Sequence, residues 1–206
     1  MSWLFGIIGP HVRNGDLQRY RSVHDTQIHE NIKEGSHYFA GGGNIQTCFA
    51  GNTTFDDSFW MGLGIIIQNK DAGCKIFSSE EWAGIARNTE MLNSQNGHYI
   101  FLTYADNAFT IRTDTLGLRT IYWDQRENEI VVSTRIDWIA KYRGGLTIDY
   151  RNTGSRWLLF NQLSYRSLVK ETNRLGPNGT LIIRNNRVTF SGNPFTPPPN
   201  FRTAVQ

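Results

Sequence analysis

Between residues 98 and 133 the sequence alternates short runs of β-forming residues with turn-forming ones, and this cadence constrains the fold more than any other feature. Residues 98–104, 108–112, 119–123 and 130–133 read as strands. Ala105-Asp106-Asn107, the 114–117 segment and the 124–128 segment supply turn chemistry between them, so an antiparallel meander is predicted. Trp3–Ile8, closed by Gly9-Pro10, and residues 58–68 are apolar on both faces, so their sheets must be covered on both sides. Two stacked, mostly antiparallel sheets between helix layers meet that requirement, which gives an α+β, four-layer αββα sandwich.

The helices have to come from the intervening segments. Residues 16–31 place Leu17, Tyr20, His24 and Ile28 on one helical stripe. Residues 78–92 open with Ser78 and Glu81 at capping-box spacing and turn Trp82, Ile85 and Ala86 inward. Residues 137–142 form a short helical turn, and residues 149–161 read as a helix interrupted by Gly154. Residues 37–50 are predicted to form a hairpin about Gly41-Gly42-Gly43-Asn44, and residues 181–184 and 187–190 a last one about Asn185-Asn186. The domain is assigned to residues 1–193, with the proline-rich segment 194–206 as an extended linker or tail.

Composition excludes several functions. Aromatics make up 13% of the 206 residues and charged residues 19%, a globular balance and not a disordered one. The net charge of +3 is spread without a Lys/Arg run, so no nucleic-acid footprint is expected. His11, His24, His29, His37 and His98 lack metal-ligand spacing, so no metal site is expected. Cys48 and Cys74 are expected to be buried free thiols in a reducing compartment. The apolar start, Met1 to Gly9, is too short for a signal peptide or a membrane span, so a cytoplasmic protein without a membrane role is expected.

Several ordered segments together resemble the N-terminal glutamine amidotransferase domain of asparagine synthetases. Phe5-Gly6-Ile7-Ile8-Gly9 follows the position where that family has its nucleophile. Gly97-His98-Tyr99-Ile100-Phe101, then Tyr104 and Asp106, then Asp114-Thr115-Leu116-Gly117-Leu118-Arg119-Thr120-Ile121-Tyr122 is similar to the family's G-x-F-A-F, Y-D and D-x-x-G-x-(K/R)-P-L-Y pattern. Val131-Val132-Ser133-Thr134-Arg135 resembles a strand ending in S-S-E, with Arg135 in place of the acid. Arg174-Leu175-Gly176-Pro177-Asn178-Gly179-Thr180-Leu181 resembles the L-P-P-G-x-x-L turn, with Asn178 where Gly is usual. The resemblance implies the Ntn-hydrolase fold. It also implies a following ATP-dependent synthetase domain or subunit, where ATP and magnesium would bind; this domain itself needs no cofactor.

The chemistry implied by the resemblance is incomplete. An Ntn hydrolase attacks with the side chain of its first residue and uses the free α-amine as base. Ser2 would be that residue after removal of Met1, where the glutamine-dependent members have Cys. The family's oxyanion Asn-Gly pair maps onto Gly64 and Ile65, which removes a side-chain donor. No Arg lies between Arg21 and Arg87 to hold a substrate carboxylate, and Glu80 maps near the acid that meets the substrate amine. The expectation is a domain without glutaminase activity whose old pocket is closed by Trp3, Ile65 and Ile66. The alternatives are an active N-terminal-serine amidohydrolase and the domain of an ammonia-dependent asparagine synthetase. The sequence leaves a homodimer open.

Overall fold

The computed structural model describes residues 1–52, 58–70, 73–151, 153 and 167–192. Among these residues, six strands form one sheet in the order β11-β9-β10-β1-β3-β2. These are β1 (Trp3–Ile8), β2 (Gln27–Lys33), β3 (His37–Gly42), β9 (Ile121–Arg126), β10 (Glu129–Ser133) and β11 (Asn173–Leu175). The second sheet runs β13-β12-β8-β7-β5-β4, with β6 also paired to β5. Its strands are β4 (Cys48–Asn52), β5 (Phe59–Lys70), β6 (Gly73–Ile76), β7 (Asn96–Ala105), β8 (Ala108–Thr113), β12 (Gly179–Arg184) and β13 (Arg187–Gly192). Every pairing is antiparallel.

The layers follow from strand alternation. Along β1, Leu4 and Ile8 face the inter-sheet core with Phe39, Leu63, Ile100 and Val132. Trp3, Phe5 and Ile7 face outward onto Tyr20 of α1 (Leu17–Arg21) and onto Trp138 and Ile139 of α3 (Ile136–Arg143). On the second sheet, Met61, Leu63 and Ile100 face inward, while Trp60, Ile66, Tyr99 and Phe101 meet Trp82 and Ile85 of α2 (Ser79–Arg87). Three apolar interfaces therefore separate helices, sheet, sheet and helix, which is the αββα order. Two glycines make the close approaches possible. A Cβ at Gly6 would lie 2.2 Å from the Phe39 ring, and one at Gly62 would lie 2.4 Å from the Trp82 indole.

The expected strands at β1, β5, β7, β8 and β10 are present, as are the capping box on α2 and the last hairpin. Asn185 and Asn186 turn that hairpin at φ 49° and 57°. Four expectations are corrected. The helix over 16–31 stops at Arg21, and the remainder forms β2. Ile28 and Ile32 are four residues apart, a spacing that helix and strand periods share. A bulge between Gln27 and His29 then puts Ile28 on the inter-sheet core and Ile32 on the outer one.

The 37–50 segment is not a hairpin, because β3 and β4 belong to different sheets. Its glycines serve close packing: a Cβ on Gly42 would meet the Trp3 ring at 2.5 Å, and one on Gly43 the Met1 carbonyl oxygen at 2.3 Å. The 98–133 segment is not one meander but two hairpins, β7–β8 in one sheet and β9–β10 in the other. Finally, Cys74 is exposed, whereas Cys48 is buried; both are free thiols. The helix read at 149–161 and the linker at 194–206 fall largely or wholly outside the described residues. Among the described residues no helix is long and apolar enough to cross a membrane.

Candidate functional site

The site is assembled around the loop that crosses from β8 to β9. Asp114, fully buried, accepts backbone N–H bonds from Leu116 (3.2 Å) and Leu118 (3.0 Å) on Oδ1 and from Arg119 (3.0 Å) on Oδ2. A carboxylate that gathers several amide donors fixes the loop as a capping group fixes a helix end. Gly117, at φ 64°, lies against Pro177, where a Cβ would come within 2.7 Å of the proline nitrogen. Thr113 Oγ1 donates to the Gly176 carbonyl at 2.7 Å, and the Asn178 N–H donates to the Asp114 carbonyl at 2.8 Å. Asn178 sits at φ 47°, a left-handed conformation that Asn tolerates, which accounts for Asn in a glycine-favouring position. The 114–119 and 174–181 motifs are thus one structural unit that aims Arg119.

Arg119 reaches the start of β1. Its Nη1 donates to the Ser2 carbonyl at 2.6 Å, and its Nε is buried without a hydrogen-bond partner. Burial pushes the guanidinium below its ordinary pKa, and the nearby Asp114 carboxylate opposes that push. Gly64 lies on the other side of the guanidinium at φ 107°, where a Cβ would sit 3.0 Å from Arg119 Nε and 2.0 Å from the His98 carbonyl oxygen. Arg119 therefore stands between Ser2 and Gly64.

Ser2 itself is buried at 3% exposure beside an exposed Met1. Its hydroxyl lies 2.9 Å from Thr47 Oγ1, and Thr47 Oγ1 donates to the Asn44 carbonyl at 3.2 Å. With the Thr47 proton committed to that carbonyl, Ser2 is the donor in the pair. A threonine hydroxyl is no base at neutral pH, so this contact holds the Ser2 oxygen without activating it. A cleft of about 570 Å³ opens here, lined by Met1, Ser2, Trp3, Asp25, Arg119 and Arg135 among others. Arg135 is engaged by Asp137 through Nε at 3.1 Å and Nη2 at 2.6 Å, and its guanidinium stacks 4.7 Å from the Trp138 ring centroid.

The expected site residues separate in space. Ser2 and Trp3 line the cleft, and Gly64 abuts it through Arg119. Ile65 and Ile66 do not close it: Ile65 is half-buried on β5, and Ile66 packs beneath α2 with Phe77 and Trp82. Glu80 is exposed on α2 and lies outside the cleft lining. β4 begins with Cys48 opposite Leu63 and β6 pairs with β5 from Ile67 onward, so Gly64 and Ile65 lie on β5 between the stretches paired with those two strands. The guanidinium that does line the cleft, Arg119, lies outside the 21–87 stretch, in a D-x-x-G-x-R segment that reads as a fold motif. Among the described residues no group of three or more His, Cys, Asp or Glu could hold a metal ion.

No protein-family model and no curated protein matches the chain. Among solved structures it is similar to the allosteric regulatory enzyme of purine biosynthesis, with a TM-score of 0.50 and 12% identity over 93% of this chain and 43% of that one. The chain has an Ntn-hydrolase-like fold. The glutamine phosphoribosylpyrophosphate amidotransferase from B. subtilis, in complex with ADP and GMP, aligns at a TM-score of 0.49 and 14% identity, over 92% of this chain and 49% of that one. The chain spans less than half the length of either protein. In an Ntn-hydrolase-like sandwich with this strand order, the start of β1 and the β8–β9 loop come together although 117 residues separate Ser2 from Arg119.

Proposed function

We propose that this chain is a glutamine amidotransferase-like domain that has kept the sandwich and lost glutamine hydrolysis. It serves in the cytoplasm as a scaffold or regulatory domain for an ATP-dependent amide-forming synthetase of the asparagine-synthetase type. That synthetase, on the same chain or on a partner, carries the ATP and magnesium chemistry. The observation that carries the reading is the placement of Arg119. Its guanidinium bonds the Ser2 carbonyl and packs against Gly64, a position that offers no side-chain amide donor to a transition-state oxygen. The Ser2 hydroxyl meanwhile donates to Thr47, and its activation would rest on its own α-amine, which requires removal of Met1. Loss of one oxyanion donor alone lowers rates on the order of a hundredfold or more. Here the side-chain donor is absent, because position 64 is Gly.

The reading is tested in the assembled enzyme by supplying nitrogen in two forms. Amide product forms from ammonium ions and not from glutamine. Product formed from glutamine at a comparable rate overturns the reading.

A further inference from the structure

At the far end of β1 from Ser2, the turn between β2 and β3 carries a second constellation with the parts of a nucleophilic site. Ser36 Oγ lies 2.9 Å from His37 Nδ1, and His37 Nε2 lies 2.8 Å from Asn31 Oδ1. We propose that Ser36, His37 and Asn31 form an acyl-transfer site that hydrolyses short, uncharged esters.

The hydrogen bonds fix the roles. A carbonyl oxygen can only accept, so the Asn31 contact places the imidazole proton on Nε2. Nδ1 is then the acceptor, and the Ser36 hydroxyl is its donor. This is the order of nucleophile, base and positioning residue that activates a serine. The local fold imposes it: Lys33 pairs with His37 across the hairpin, which sets Asn31 beside the ring, and the Ser36 N–H closes the turn onto the Lys33 carbonyl at 3.1 Å. His37 is 1% exposed. The rings of Phe39, Phe59, Tyr104 and Phe109 pack around it at 5.0–6.0 Å between centroids, which holds the imidazole in place.

Ser36 is half-buried and opens onto a cleft of about 260 Å³. That cleft has no charged lining residue, so it suits a neutral acyl group of a few carbons. Tyr104 donates its hydroxyl to Asn107 Oδ1 at 3.1 Å, which leaves the amide N–H groups of Asn107 for a ligand. Asn185 and Asn186 are on the same lining, so three asparagines border the cleft that Ser36 faces. The step balances without a further reactant. Ser36 Oγ bonds the acyl carbon, the ester C–O bond breaks, and the Ser36 proton passes through His37 Nδ1 to the leaving alcohol. Water then releases the acid and restores the hydroxyl.

The test is covalent labelling of the full chain with a fluorophosphonate, mapped by peptide mass spectrometry. The label is expected on Ser36 in the native protein and to fall to background after unfolding. Asn31→Leu is expected to slow labelling at least ~10-fold, while Asn31→Asp, which keeps an acceptor toward Nε2, retains it. Failure to modify native Ser36, or modification at the rate of the unfolded chain, overturns the proposal. Equal rates in a folded Asn31→Leu variant and the parent also overturn it.

Discussion

Gly64→Ala is the substitution whose outcome the geometry fixes most tightly. Gly64 sits at φ 107°, and its Cβ would stand 2.0 Å from the His98 carbonyl oxygen and 3.0 Å from Arg119 Nε. An ordinary carbon–oxygen contact is about 3.3 Å, so β5 and β7 must part by about 1 Å at the middle of their ladder. The nearest obstacle is backbone and cannot rotate away. Forcing a side chain into this φ region costs about 1–3 kcal/mol. Overpacking a filled site adds about 1–3 kcal/mol. A chain of this size loses roughly 2–4 °C of melting temperature per kcal/mol, so a drop on the order of 10 °C is expected. Gly84→Ala is the matched control. It lies within α2 with nothing inside 4 Å of its Cβ, so it gains about 1 kcal/mol of helix propensity and melts a few degrees higher. Thermal unfolding followed by circular dichroism reads both. A Gly64→Ala variant melting within about 2 °C of the parent would refute the packing argument.

Three further outcomes follow from the same contacts. Gly64→Asn restores the residue type of the resembling family, yet it is expected to share the alanine variant's thermal loss and to release no ammonia from glutamine, as an ammonia assay would show. Cys74 reacts with a thiol reagent in the folded protein while Cys48 does not, since burial pushes the Cys48 thiol up to about 12; equal labelling of both cysteines contradicts this. Burial holds His24 below its ordinary value of 6.5, so the unfolded chain binds the proton more readily. Its contribution to stability is therefore complete above pH 6.5 and is lost as pH falls through the folded value. Denaturant unfolding of the parent and a His24→Gln variant from pH 7.5 to 5 reads the difference, and parallel profiles contradict it.

The sequence carried the sandwich where local signals were unambiguous. Trp3–Ile8 and β5 announced doubly covered strands by being apolar on both faces, and Ser78 with Glu81 announced α2 by its capping box. It misled where a pattern had two readings. Leu17, Tyr20, His24 and Ile28 fit a helical stripe, yet the chain leaves the helix at Arg21 and Ile28 lies on β2. Gly41 to Gly43 suggest a tight turn, although they are small because Cys48, Trp3 and Met1 pack against them. The hairpins of the 98–133 segment lie in different sheets because the Asp114 loop, anchored on Pro177 and Asn178, carries the chain between layers. No one-dimensional cadence reports that crossing. Of the residues singled out in the sequence, Ser2 lies on the cleft. Arg119 was hidden because its role depends on a contact across 117 residues.

Glutamine cleavage by a chain whose mature N-terminus is Ser2 bears most directly on the whole account. Intact mass establishes that Met1 is gone, and coupled detection then follows ammonia from millimolar glutamine. With Arg119 on the Ser2 carbonyl and Thr47 on its hydroxyl, ammonia stays at the level of a Ser2→Ala control. A burst that matches the enzyme concentration and vanishes in Ser2→Ala would contradict it.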